Sequence, residues 1–286
     1  NYTYNRFGDV EAVDGPIPGA NDVASQRYDN NRQVLGVSGV DPDGEGSGRP
    51  AVATRYNYKT NGQLESIDTG TVAGSSDSAW SAFAVAQTTW IDYDSAYRVA
   101  KETLKVGTTT RGITQYAYDA GDRRTCVAQR LTLTSLPSSV CALNPAPGGD
   151  GQDRLTKYEY DGANRLTMVR SAYLTADERV ETTIYPNADG TLNNADDQEQ
   201  SVTDGNGNKT TYKLDGMGRT QYVYLPSATA TGQSDTGDYV SYAYNAVGAL
   251  ETIRRRDAST DTLSYDGLGR LTGRTSPSTT IVYDNL

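Results

Sequence analysis

Apolar and polar positions alternate with period two in short bursts along the chain, and each burst ends in a turn signal. Tyr56-Asn57-Tyr58, Tyr116-Ala117-Tyr118, Tyr158-Glu159-Tyr160, Tyr242-Ala243-Tyr244 and Leu263-Ser264-Tyr265 show the pattern. A period of two places both large side chains on one face of a β-strand. Asp or Asn follows, and its short side chain can bond the backbone amides ahead of it. Four residues after the anchoring Tyr stands Gly8, Gly62, Gly218, Gly248 or Gly269. That is the left-handed position of a three-residue hairpin loop, a type I turn followed by a residue of positive φ. Asn164 and Asp122 substitute there, and both tolerate positive φ. Tyr97 and Arg32 do not, which predicts different or strained turns at those two places. Arg98, Arg123, Arg165, Arg219 and Arg270 come next, and an apolar residue such as Val99, Leu166 or Leu271 usually starts the return strand.

The phrase recurs from end to end. Copies are anchored at Tyr4, Tyr28, Tyr58, Tyr93, Tyr118, Tyr160, Leu214, Tyr244 and Tyr265. A degenerate copy sits at Tyr185 and a truncated one at Tyr283. The pattern therefore predicts an all-β array of hairpins over 1–286. A single hairpin is marginal in water, so neighbours must pair edge to edge into a long antiparallel sheet. A looser stretch at 125–150 reads as an insertion between repeats, and Trp80, Phe83 and their apolar neighbours predict one short helix near 77–87, capped by Ser75 or Asp77. The chain opens and stops in mid-pattern, which predicts a fragment of something longer.

This array of Tyr-Asp-x-x-Gly-Arg-Leu phrases, with TDGNGNKTTYKLDGMGRT at 203–220, resembles the RHS/YD-repeat family. That family includes bacterial Rhs polymorphic toxins, shell components of insecticidal toxin complexes, and teneurins. The resemblance implies a ribbon that spirals into a hollow shell, and in the bacterial toxins the shell encloses a C-terminal effector. It implies a secreted or cell-surface protein whose partners are its own repeats and that effector. Leu214 in place of the anchor Tyr, Ala249 in place of Arg, and Arg124 and Thr220 in place of the apolar residue depart from the pattern.

Composition narrows the picture. Tyr outnumbers Phe by 21 to 2, so a core built from it must keep many hydroxyls wet or hydrogen-bonded. The net charge of −10 disfavours nucleic acid, which recruits clustered cations. The one basic run, Arg254-Arg255-Arg256, reads as a solvated strand end. No apolar stretch approaches the ~20 residues that span a bilayer.

Candidate chemistry is sparse. With no His, triads and the commonest zinc sites are excluded. The repeated Asp161/Arg165, Asp215/Arg219 and Asp266/Arg270 pairs suit turn-spanning ion pairs or Arg packed on Tyr rather than a catalytic site, which is needed only once. No enzyme activity and no cofactor are expected. Asp41, Asp43 and Glu45, or Asn187, Asp189 and Asp196, are the only residues spaced for a Ca²⁺ ion, and each set reads more simply as an acidic loop. GNGN at 205–208 reads as a turn, lacking the ending of a phosphate loop. Cys126 and Cys141 bracket the insertion and predict a disulfide pinning it, with two buried thiols as the alternative. Exposed Tyr rows could also stack on surface glycans or peptides, as an adhesion module, and open sheet edges could pair between copies into filaments.

Overall fold

The computed structural model describes all residues except 17–21, 42–47, 186–198, 278 and 284–286. The chain divides into two compact units, Asn1–Leu155 and Thr156–Leu286. In the first, β1 (Tyr2–Tyr4), β2 (Val10–Asp14), β3 (Val23–Tyr28), β4 (Val34–Ser38) and β5 (Ala51–Tyr58) run as a meander. It continues through β6 (Leu64–Val72), helix α1 (Asp77–Ser81), β7 (Ala84–Tyr93), β8 (Val99–Val106), β9 (Thr109–Tyr118) and β10 (Arg124–Arg130). From the unit junction onward the chain forms β11 (Arg154–Tyr160), β12 (Leu166–Ser171), β13 (Arg179–Ile184), β14 (Glu199–Thr203), β15 (Lys209–Leu214) and β16 (Thr220–Pro226). The second unit closes with β17 (Ser234–Tyr244), β18 (Leu250–Arg254), β19 (Thr260–Tyr265), β20 (Leu271–Ser276) and β21 (Thr279–Val282). Within each unit, successive strands pair antiparallel with their sequence neighbours. The architecture is all-β and built from repeated hairpins.

One register rule holds across the repeats. The anchor residue pairs with the residue six places on, as in Tyr93↔Val99 and Tyr265↔Leu271, and the register then slips by one. That slip is a β-bulge on the return strand, which tightens local twist. The four departures from the sequence pattern obey the same rule. Leu214 pairs with Thr220, Tyr118 with Arg124, and Tyr244 with Leu250 beyond Ala249.

The apolar core of the first unit is small and local. Trp80 of α1 and Phe83 just beyond it pack onto Ala51, Ala53 and Val72, all at least nine-tenths buried. Small residues beneath them are a steric requirement. A Cβ on Gly36 would come within 2.3 Å of the Trp80 ring, and one on Gly70 within 2.8 Å of Phe83. The helix is shorter than its sequence predicts. It ends at Ser81, and Ala84 and Val85 pair with Thr71 and Gly70 as the start of β7. An alternating Ala-Val-Ala run fits either period, and the open edge of β6 decides in favour of strand. The cap is Ser76, whose hydroxyl accepts from the Ala79 amide at 3.2 Å, rather than Ser75 or Asp77.

Candidate functional site

The repeated turn is the feature the sequence singles out, and its geometry assigns each residue a task. After Tyr93, the Asp94 amide donates to the Arg98 carbonyl at 2.9 Å and the Tyr97 amide returns to the Asp94 carbonyl at 3.0 Å. Asp94 Oδ1 accepts from the amides of Ala96 and Arg98, and Oδ2 accepts from Arg98 Nε at 2.8 Å. Asp119 with Arg123, Asp161 with Arg165, Asp215 with Arg219, and Asp266 with Arg270 repeat the clamp, with Nε···Oδ2 at 2.7–2.8 Å. The carboxylate thus organises three donors, and the arginine closes the ring across the loop. Asn5 and Asn245 hold the amides through Oδ1 without an arginine.

The left-handed position follows Gly8, Gly62, Gly218, Gly248 and Gly269, with φ between 77° and 88°. Asn164 adopts 65°, as its tolerance predicts. Arg32 and Tyr97 adopt 65° and 62°, so their turns have the common geometry and carry the strain of a non-glycine residue in it. Residues 204–208 form the same turn, with Asp204 Oδ1 accepting from the amides of Asn206 and Asn208.

The anchor tyrosine explains the Tyr-rich composition. Tyr28, Tyr58, Tyr93, Tyr118, Tyr244 and Tyr265 donate their hydroxyls to the carbonyls of Val10, Val34, Leu64, Val99, Thr220 and Leu250, at 2.8–3.1 Å. Each acceptor starts the return strand of the preceding repeat. The ladder between repeats stops short of it: β6 and β7 pair from Ser66↔Trp90, leaving Leu64 two residues beyond. Tyrosine therefore satisfies a backbone carbonyl that no strand amide reaches, and phenylalanine could not. Burial raises the pKa of Tyr58 and Tyr93, in keeping with a phenol that stays protonated as a donor. Arg98, Arg165 and Arg219 also lie over the rings of Tyr118, Tyr185 and Tyr244, at 4.6, 4.6 and 4.2 Å, coupling one turn to the next repeat.

These carboxylates are poor candidates for acid–base chemistry. The backbone amide and guanidinium of Arg98 hold the Asp94 carboxyl below its ordinary value, and Arg123 does the same to Asp119. A general acid at neutral pH needs the opposite shift. Among the described residues, no three His, Cys, Asp or Glu side chains gather as a metal site. Asp41 is buried, while Asp43, Glu45, Asn187, Asp189 and Asp196 lie outside the described residues.

Beyond the Cys126–Cys141 pair that the sequence singled out, two arrangements of charged side chains escaped it. The first surrounds the insertion. Cys126 and Cys141 are bonded, with Cα atoms 5.8 Å apart. On the same face of β10, the fully buried Arg130 guanidinium donates to Gln115 Oε1, to the carbonyls of Ala142 and Val140, and to Asp153 Oδ2 at 2.8 Å. Asp153 in turn accepts from the amides of Leu131, Thr132 and Asn144. Burial alone would raise its carboxyl, but the Arg130 side chain and the amides hold it below the usual carboxylate value. A disulfide and a saturated ion pair together fasten residues 131–153 to the first unit. The second arrangement gives partners to the basic run at the end of β18. Arg254 donates to the Tyr239 carbonyl and lies 4.0 Å over that ring, Arg255 pairs with the fully buried Asp261, and Arg256 pairs with Asp238. Asp261 and Asp238, on the flanking strands, thus pair with Arg255 and Arg256, whose side chains remain 49% and 68% exposed, so the run is a solvated strand end with defined partners.

No protein-family model and no curated protein matches the chain. Among solved structures it is similar to a TcdB2–TccC3–Cdc42 complex, at 15% identity and a TM-score of 0.38 over 98% of this chain. It is also similar to a Photorhabdus luminescens Tc holotoxin pore carrying a TccC3 mutation, at 16% identity and a TM-score of 0.37. The chain spans only 15% and 14% of the lengths of those chains. Scores at this level do not establish a shared fold, and the hairpin-repeat architecture stands on the strand pairing described above. No helix among the described residues is long and apolar enough to cross a membrane.

Proposed function

We propose that this chain is a non-enzymatic wall segment of a secreted or cell-surface RHS/YD-repeat protein, and that the wall encloses or presents a C-terminal effector of the same parent chain. The observation that carries the reading is the commitment of the repeated Asp, Arg and Tyr to backbone closure. The same three tasks recur in both units, and a carboxylate that already holds two amides and a guanidinium is committed to its turn. Encapsulation comes from the resemblance of the repeated phrase to that family. Bacterial toxin delivery is the role such a wall serves there. A thin sheet stabilised by side-chain clamps, with little apolar core, suits a wall better than a compact catalytic body.

The test is protease mapping of the longer parent chain. Protection of the segment C-terminal to the repeats until the repeat region itself is cleaved supports enclosure. Ready digestion of that segment while the repeats stay intact overturns it.

A further inference from the structure

One position of the repeated turn lends the loop only its backbone. The third residue after the anchor donates its amide to the Asp or Asn Oδ1, at 2.9, 3.1 and 2.9 Å for Met217, Val247 and Leu268. Its side chain has no part in the clamp. In most copies that side chain is small or polar, as in Asn31, Asn61, Ala96, Gly121 and Ala163. In the last three turns that follow an anchor it is Met217, Val247 and Leu268, which are 79%, 85% and 80% exposed. Scattered exposed apolar residues are ordinary, but three at equivalent points of successive hairpins form a patch. Because the strands alternate in direction, the β15–β16, β17–β18 and β19–β20 turns leave the sheet at the same edge. Their tips stand two strand spacings apart, about 10 Å from one to the next. The turns at the opposite edge, 204–208, 227–233 and 255–259, contain no large apolar residue.

We propose that this edge of the second unit docks on a neutral lipid surface, with Met217, Val247 and Leu268 entering the interfacial layer together. The turns behind them are prepared for leaving water. Their charge cancels locally, since Asp215 pairs with Arg219 and Asp266 with Arg270, while the Val247 turn has Asn245 and Ala249 in those places. Their amides are bonded within the loop. Gly218, Gly248 and Gly269 donate to the carbonyls of Asp215, Asn245 and Asp266 at 2.9–3.0 Å. Arg219, Ala249 and Arg270 donate to the side-chain Oδ1 of the same residues at 2.9 Å. Bonded amides and neutralised charges lower the cost of desolvation. A second copy of the chain fits less well, because three side chains fall short of the roughly 800 Å² that each partner gives a stable protein interface. A bilayer needs no matched surface. The net charge of −10 sets the chain against anionic headgroups, so the lipid is zwitterionic. The row lies on an edge of the sheet, so the inference does not rest on enclosure.

The test is flotation of the full chain with phosphatidylcholine vesicles at low and high salt. The expected result is binding that saturates with lipid, is unchanged by salt and weakens as phosphatidylserine is added. Met217→Asn, Val247→Asn and Leu268→Asn combined should lower the affinity tenfold or more. Melting followed by circular dichroism should not change, since Asn31 and Asn61 hold the same place in the first unit. Met217→Ala, Val247→Ala and Leu268→Ala combined should behave alike, as Ala96 and Ala163 show the position accepts Ala. Val52→Thr, at an exposed apolar residue of β5 outside the row, should leave binding intact. Absence of flotation, undiminished binding in both triple variants, or binding that grows with phosphatidylserine overturns the proposal. Self-association in sedimentation velocity that both triple variants abolish, without flotation, overturns it in favour of a second copy.

Discussion

Replacing Tyr93 by Phe isolates the interaction that joins one repeat to the next. The substitution keeps the ring in place beneath Lys59 and deletes only the hydroxyl that donates to the Leu64 carbonyl at 2.8 Å. Because the β6–β7 ladder begins at Ser66↔Trp90, no strand amide can take over that acceptor. A typical intramolecular hydrogen bond contributes about 0.5–1.5 kcal/mol net, and stranding its partner away from water costs about 1–3 kcal/mol. The carbonyl sits under a half-buried ring, so the expected loss is about 1–2 kcal/mol. The assay is urea denaturation followed by tryptophan fluorescence, which reports the first unit because Trp80 and Trp90, the two tryptophans, both lie there. Tyr56→Phe is the matched control, since its hydroxyl bonds no described residue, and surface-type changes of that kind stay within about ±0.5 kcal/mol. A Tyr93→Phe chain as stable as the unsubstituted one would refute the reasoning. So would a Tyr56→Phe chain that loses as much.

Four further outcomes follow from the same geometry. Arg130→Met strands the buried Asp153 carboxylate and should cost about 3–5 kcal/mol, seen as rapid proteolysis within 131–153. Asp153 has its folded pKa depressed, so its contribution is fully present above the unfolded value of ~3.9 and is lost as pH falls through the lower folded value; Asp153→Asn should remove that acid-side dependence from the first unit's stability profile. Replacing both Cys126 and Cys141 by Ser opens a cross-link spanning 15 residues and should cost roughly 3 kcal/mol, matched by adding reductant to the unsubstituted chain. Gly36→Ala drives a Cβ into the Trp80 ring, should cost about 1–3 kcal/mol, and should red-shift the fluorescence as that ring is displaced.

The hairpin unit was legible because its determinants are local. Tyr265, Asp266, Gly269 and Arg270 lie within six residues, and each carries a backbone preference or a short-range bond that spacing alone exposes. Residues 204–208 were legible as a turn for the same reason. What spacing cannot show is the partner across the sheet. The carbonyl of Leu64 lies 29 residues before Tyr93, and its need for a donor exists only once the ladder is known to stop at Ser66. Arg130 and Asp153 are 23 residues apart with a loop between them, so neither advertises the other. The helix was misjudged in length because Ala84-Val85-Ala86 satisfies both periods and only the edge of β6 breaks the tie. Arg255 and Arg256 are the exposed strand end that their spacing suggests, but their partners Asp261 and Asp238 come from the flanking strands and show only once the pairing is known. Met217, Val247 and Leu268 align in a line of text, but that their turns share one edge of the sheet needs the strand pairing in place.

Enclosure by the repeat wall is the claim on which the functional reading turns, and electron cryomicroscopy of the longer parent chain tests it most directly. The account predicts polypeptide density on the inner side of the hairpin ribbon, walled by repeats of the kind anchored at Tyr93, Tyr118, Tyr244 and Tyr265. A ribbon with solvent on both faces, and with the C-terminal segment projecting outward from it, would contradict the account.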